Sequence, residues 1–251
     1  IPLTVPYTAI AHPRRMASKG WFGIREAAIH RWVAHVRKAG ADLVVLLSHN
    51  GFDVDRKLAS RVVGIDVILS GHTHDALPQP TLVGRTLVIA SGSHGKFLSR
   101  LDLDVRAGEM VGWRYALIPI LADAIPPDPG MRRLVEEIRA PDAAYLATEL
   151  AHTETTLWRR GNFGGTLDHL ICDALLSERD AEISMSPGFR WGGTLLPGQA
   201  VTWDDIYNAT AITYPTAYRT TIRGAFLRTI LEDVADNLFN PDPYYQHGGD
   251  M

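Results

Sequence analysis

The chain has 251 residues, 46% of them hydrophobic, a formal net charge of −3 and one cysteine. That length accommodates one large domain or two smaller ones, and the hydrophobic share is that of a soluble globular protein. The charge excludes an electrostatic grip on nucleic acid or an anionic membrane, and the lone Cys172 excludes an internal disulfide. Cys172 lies in the apolar helical run 170–176 and is expected as a small core residue. No signal-peptide pattern and no apolar run long enough to span a bilayer is present.

In chain order, residues 6–15 form a turn-rich connector and residues 21–25 enter a helix. Ile29, Trp32, Val33 and Val36 follow i, i+3, i+4, i+7 spacing, which predicts a core-facing stripe, with His30 and His35 at the surface and Gly40 closing the helix. The apolar run Leu43, Val44, Val45, Leu46, Leu47 reads as a buried parallel strand that ends at Ser48-His49-Asn50-Gly51. Residues 53–63 read as a crossover helix closed by Gly64. Ile65, Val67, Ile68 and Leu69 form a second buried strand leading into Ser70-Gly71-His72-Thr73-His74. A strand-helix-strand unit brings both strand ends to one edge of a sheet, so His49, His72 and His74 converge at one rim. Neutral imidazole is a common ligand for Zn, Mn and Fe, and loops at strand ends can aim it. In a continuing strand His72 and His74 would point the same way. If Gly71 turns the chain instead, the two rings can serve two neighbouring metals, roughly 3.5–4 Å apart in two-metal hydrolases.

Residues 86–90 form a short apolar strand that runs into Ser91-Gly92-Ser93-His94-Gly95-Lys96, which places His94 near the same rim. Residues 97–105 alternate as a half-buried antiparallel strand, Ala107-Gly108 supplies a turn, and 110–120 pairs back as a hairpin. Pro126-Pro127-Asp128-Pro129-Gly130 is the clearest boundary, since three prolines in four residues continue neither helix nor central strand. Residues 131–139 then form a short bridging helix with Leu134, Val135 and Ile138 on one face. Beyond residue 141, a helix over 164–178 carries Leu167, Leu170, Ile171, Ala174 and Leu175 on one face. A strand over 181–185 leads into Ser186-Pro187-Gly188-Phe189-Arg190, and residues 218–222 precede a helix bearing Leu227, Ile230, Leu231 and Val234. Alternating short strands and helices make this an α+β domain. The expected division is therefore 1–123, a linker and helix over 124–140, and 141–251.

Ser48-His49-Asn50-Gly51 followed by Gly71-His72-Thr73-His74 resembles the second half of the calcineurin-like metallophosphoesterase signature, in its 5′-nucleotidase branch. Three further strings resemble the SoxB family, the thiosulfohydrolases of the bacterial Sox sulfur-oxidising system. They are Ser186-Pro187-Gly188-Phe189-Arg190-Trp191-Gly192, Thr210-Ala211-Ile212-Thr213-Tyr214-Pro215, and the run from Asn240 through Tyr244-Tyr245 to Gly249-Asp250-Met251. The resemblance runs from Pro6 to the last residue. It implies an α/β protein, α+β overall: a partial four-layer metallophosphoesterase-like α/β sandwich followed by a partial 5′-nucleotidase-type α+β domain. The family's Asp-x-His and Gly-Asn-His-Asp/Glu segments do not occur here, so we expect a piece truncated at both ends and inactive by itself.

The resemblance implies two divalent metal ions, manganese, with His49 and His72 serving one and His74 the other; it gives His94 no ligand role. Arg190 occupies the place where an Arg in a Gly-rich loop grips the substrate anion, and Gly188, Gly192 and Gly193 let backbone approach closely. Asp250 matches an Asp in the family's last Gly-Gly-Asp loop, preceded here by Tyr244 and Tyr245. The implied activity is hydrolysis of a sulfonate carried on a cysteine of the carrier protein SoxY (SoxYZ), releasing sulfate in the periplasm. A 5′-nucleotidase or other phosphoesterase is the chemical alternative, since phosphate and sulfonate are both tetrahedral oxyanions. A non-catalytic domain that docks a carrier is the alternative of a different class.

Overall fold

A computed structural model describes residues 2–4, 22–121, 124–159, 164–186, 193–210 and 216–246. The connector at 6–15, Trp21, Arg190 and Asp250 lie outside the described residues. The chain divides into two compact units, one made of Ile1–Ile125 with Phe239–Gly248, the other containing Pro126–Leu238. The first division falls beside the proline run. The second returns Phe239–Gly248 to the first unit, which chain order alone does not announce.

The first unit is built on a five-stranded sheet in the order β1-β2-β3-β5-β4. Its strands are β1 (Pro2–Thr4), β2 (Val45–His49), β3 (Val67–Ser70), β4 (Thr81–Val83) and β5 (Thr86–Ala90). β1, β2, β3 and β5 run parallel, and β4 is antiparallel to β5 at the edge. Helix α1 (Glu26–Lys38) precedes β2, and α2 (Phe52–Arg61) crosses from β2 to β3. Every residue of β5 is buried, as a strand covered on both faces requires. Ile29 and Val33 of α1, Leu58 and Val62 at α2, and Leu46, Ile68 and Val88 of the sheet form one core. At about 25 cal/mol per Å² of apolar surface removed from water, each fully buried Leu or Ile contributes roughly 1.5–3 kcal/mol.

The expected stripe on α1 needs one correction: Trp32 is 56% exposed, and its ring meets His35 edge-on on the outer side. The core takes Ile29 and Val33, with Val36 packed partly against it, and leaves the i+3 position outside. Gly40 ends the helix with φ 93°, a value that favours glycine. Arg37 of α1 pairs with Asp66, whose carboxylate also accepts from the Val44 amide at 2.7 Å, fixing the helix to the entry of β2 and β3. β6 (Phe97–Arg106) and β7 (Glu109–Pro119) form the hairpin as an antiparallel ribbon of their own.

The second unit holds α3 (Pro129–Arg139), capped by the Asp128 carboxylate on the Met131 amide, and the single turn α4 (Ala143–Leu146). β8 (Glu149–His152) and β9 (Leu157–Trp158) precede α5 (Thr166–Arg179), and β10 (Thr194–Leu195) and β11 (Ala200–Thr202) precede α6 (Trp203–Thr210) and α7 (Gly224–Phe239). β8 pairs with β11 and β9 with β10, both antiparallel. Residues 181–185 are not a strand: Ile183 and Met185 are exposed, and the segment pairs with none of the described strands. Residues 218–222 are likewise irregular. Of the apolar face expected on α5, Leu167 is buried, whereas Leu170 is exposed and Cys172 only half-buried. Leu170, Ile171 and Leu175 instead line an apolar groove of about 320 Å³ with Ile206 and Ala209 of α6. Arg159 is buried in an ion pair with Asp168, which also accepts from the Gly165 amide at 2.9 Å and so caps α5.

Candidate metal centre

Parallel pairing of β2 with β3 sets Ser48 opposite Ser70, so the two histidine-bearing segments leave the sheet side by side. The β3 strand stops at Ser70, and the Gly71 amide donates back to the Ser48 carbonyl at 2.9 Å. His72 (φ 84°) and His74 (φ 58°) both adopt positive φ, a conformation that costs a non-glycine residue about 1 kcal/mol or more. Of the two geometries open to the sequence, the chain therefore takes the turned one, although the turn is made by the histidines and not by Gly71.

Among the described residues, the histidine rings then meet in two pairs. His72 lies against His49 with ring centroids 5.1 Å apart, and His74 lies against His94 at 5.5 Å, edge to face. His72 is buried, His74 half-buried, and His49 and His94 exposed, so both pairs border solvent. The His94 Nδ1 shares a hydrogen bond of 2.6 Å with the Ser93 hydroxyl, and His94 also has positive φ. The sequence placed His94 near this rim without a role; the structure sets it directly beside His74.

Two glycines admit this packing. A Cβ on Gly51 (φ 105°) would stand 2.7 Å from the Thr73 methyl, and one on Gly71 would stand 3.3 Å from His49 Nδ1. With Gly51 at its N-cap, α2 has no capping side chain of its own. The Thr73 hydroxyl does the work from across the loop, accepting from the Phe52 amide at 3.1 Å and donating to Asp75. The His72-Thr73-His74 turn is thereby tied to the start of the crossover helix.

Beneath the rim, Asn50 and Asp55 are buried. Ser48 Oγ and Ser70 Oγ each donate to Asp55 at 2.6 Å. Burial pushes the Asp55 carboxyl up to about 6, with the hydrogen bonds from Ser48, Ser70 and Asn50 opposing that rise. Among the described residues the buried Asn50 Oδ1 has no hydrogen-bond partner, which makes it an acceptor available to a bound water or group.

The donors present fit the histidine part of a two-metal centre. His49 and His72 are adjacent imidazoles that could share one divalent cation, and His74, whose ring lies against His94, could serve a second. Among the described residues no group of three His, Cys, Asp or Glu side chains comes together around one point, so these rings are a partial set. Tyr244 is occupied elsewhere in the first unit: its hydroxyl donates to Glu26 at 2.8 Å, and its ring lies 4.0 Å under the Lys57 ammonium. Tyr245 is 63% exposed.

No protein-family model matches the chain. The chain is similar to the sulfate thiohydrolase SoxB of Thermus thermophilus, at 40% identity and a TM-score of 0.95, over 100% of this chain and 46% of that one. It is 25% identical over 176 residues to the 5′-nucleotidase of Bos taurus, covering 60% of this chain and 30% of that protein. It is 37% identical over 68 residues to the uncharacterised metallophosphoesterase YunD of Bacillus subtilis, covering 27% of this chain and 15% of that protein. The chain thus spans less than half the length of each. The mixed α/β architecture is of the metallophosphoesterase type that SoxB shares, and these relatives are hydrolases of the metal-dependent phosphoesterase kind.

Proposed function

We propose that this chain, SoxB-like throughout its length and a relative of the 5′-nucleotidases, is part of a two-metal hydrolase that releases sulfate from a cysteine-bound sulfonate on the SoxY carrier protein. The observation that carries the reading is the likeness to SoxB over the whole chain, at an identity well above that to the 5′-nucleotidase. In the reaction, water oxygen bonds to the sulfonate sulfur and the bond from that sulfur to the carrier's sulfur breaks. The electron pair stays on the carrier sulfur, which takes up a proton, and sulfate leaves; no oxidant is required.

His49 and His72 would hold one divalent ion, manganese in this proposal, and His74 the other. Such ions lower the pKa of water and neutralise charge on the sulfonate oxygens. The paired rings bordering solvent leave the site open to a substrate presented on a protein carrier, in keeping with that role. Arg190 is assigned to the sulfonate, because a planar guanidinium matches two oxygens of a tetrahedral oxyanion, and Asp250 to the same substrate-binding loops. We place the protein in the periplasm with its carrier. No helix among the described residues is long and apolar enough to cross a membrane.

The test is the parent protein loaded with Mn²⁺ and offered two substrates, S-sulfonated SoxY and a nucleoside 5′-monophosphate. Sulfate release from the carrier with little phosphate release is expected. The reverse preference would make the protein a nucleotidase, and turnover of neither by the metal-loaded protein would favour a carrier-docking role.

A further inference from the structure

The most deeply placed ionisable group near the rim is Asp55, which is 0% exposed. Among the described residues no Lys or Arg pairs with it. Its partners are neutral: Ser48 Oγ donates to Oδ1 at 2.6 Å, Ser70 Oγ donates to Oδ2 at 2.6 Å, and Asn50 Nδ2 is at the long distance of 3.5 Å from Oδ1. Burying an unpaired carboxylate costs several kcal/mol, and an apolar side chain of similar size would cost far less. A fold that needed only to fill this space would gain by having Leu here.

What the carboxylate does geometrically is specific. Ser48 and Ser70 are register partners at the ends of β2 and β3, Ser48 immediately before His49 and Ser70 two residues before His72. Asp55 sits in the first turn of α2, its own amide bonded to the Gly51 carbonyl at 2.9 Å. One carboxylate from the crossover helix thus takes one hydroxyl from each strand end, one per oxygen.

We infer that Asp55 is a positioning residue of the metal centre: by clamping Ser48 and Ser70 it sets the spacing of the His49 and His72 imidazoles. This rests on the proposed reading of those histidines as ligands. The clamp favours one separation of the two rings before any ion arrives, so ligand reorganisation is not charged against metal binding. The residue touches neither substrate nor metal.

The experiment uses the full-length parent protein, stripped of metal and titrated with Mn²⁺, with Co²⁺ absorption as a second probe of ligand geometry. Asp55→Asn keeps the size and removes the charge and one of the two acceptors. It should weaken metal binding about tenfold, the lower end of what groups orienting metal ligands contribute, and change the Co²⁺ spectrum. Its metal-free thermal midpoint should stay level or rise, because a neutral side chain is cheaper to bury. Opposite signs on metal affinity and apo stability are what a merely structural residue would not produce. Ser48→Ala and Ser70→Ala should each weaken binding in the wild type and have little further effect in Asp55→Asn; these milder single variants keep the test open if Asp55→Asn does not fold. An unchanged affinity and spectrum in Asp55→Asn, while His49→Ala loses an ion, would overturn the inference and leave the ligand reading standing. Loss of metal affinity only in step with lost apo stability would also overturn it. Full metal occupancy in both His49→Ala and His72→Ala would overturn the ligand reading and this inference with it.

Discussion

Tyr244 donates a hydrogen bond of 2.8 Å to Glu26, a residue 218 positions earlier in the chain. Around it, Lys57 pairs with Asp242 at 2.5 Å and lies over the Tyr244 ring, and Arg61 forks onto Glu26. The Arg61 contact is the main reason the Glu26 carboxyl is held below its usual range, so it is an anionic acceptor at neutral pH. Within the first unit, the Asn240–Gln246 stretch is knit to itself by Asn240 and Gln246 and fastened to α1 and α2. Tyr244 is in this sense a fastening residue of the first unit.

The fastening can be measured. Tyr244→Phe removes one hydrogen bond to a charged acceptor and should cost about 1.5 kcal/mol, the low end for such a bond because Glu26 is part-exposed. Lys57→Ala removes a half-exposed ion pair and a cation–π contact and should cost about 1 kcal/mol, less at high salt. Because Lys57 touches both Asp242 and Tyr244, the double variant should fall short of additivity by about 0.5 kcal/mol or more in urea unfolding. Strict additivity would show that the two contacts act separately.

The ring pairs make a prediction about metal stoichiometry. In the parent protein His49→Ala and His72→Ala should each lower occupancy at the same ion, and His74→Ala at the other. His94→Ala, beside His74 but outside the proposed ligand set, should keep both ions. Elemental analysis of the four variants decides this. Loss of an ion in His94→Ala would enlarge the set, and full occupancy with normal turnover in His72→Ala would remove its central member.

Asp55 also predicts a pH dependence. Its carboxyl takes up a proton near pH 6 in the folded chain, against the ordinary 3.8 when unfolded. The folded state therefore binds the extra proton between those values. The stabilising contribution is fully present below about pH 3.8 and is lost as pH rises through about 6, a change on the order of 3 kcal/mol. Asp55→Asn does not titrate, so the metal-free variant should gain on wild type by most of that amount, about 2 kcal/mol, between pH 4 and pH 7. Urea midpoints at the two pH values test it, and a constant difference would place the titration elsewhere.

If Arg190 holds the sulfonate, as proposed, its variants separate substrate binding from metal binding. A charge-assisted bidentate contact to an oxyanion contributes about 1.5–3 kcal/mol, roughly tenfold to a hundredfold in rate or affinity. Arg190→Ala should slow sulfate release by that factor with metal content intact, and Arg190→Lys should recover only part, since a point charge lacks the fork. Unchanged kinetics in Arg190→Ala would put the anion elsewhere.

The local pattern of residues determined the centre of the first unit. The apolar runs before His49 and His72 read as parallel strands and the span between them as a crossover helix, and β2, α2 and β3 take those places, although β2 is buried on one face only: Leu46 is in the core and Leu47 is 61% exposed. The 86–90 strand was legible for the same reason. Period and composition report what a segment buries, so where burial was thin they misled: Trp32 kept the helical spacing but fell beyond the sheet's edge, and 181–185 had strand composition without a partner. Short ribbons such as β8 with β11 carry too few residues to show a period. Only the tertiary structure decided how the histidines divide, because the positive φ of His72 and His74 depends on a loop held by Thr73 and admitted by Gly51. It alone turned Asp55, an ordinary acidic residue at the start of a helix by sequence, into a buried clamp. That outcome needs Ser48 and Ser70 brought into register from two strands, a distance in sequence that no local pattern encodes.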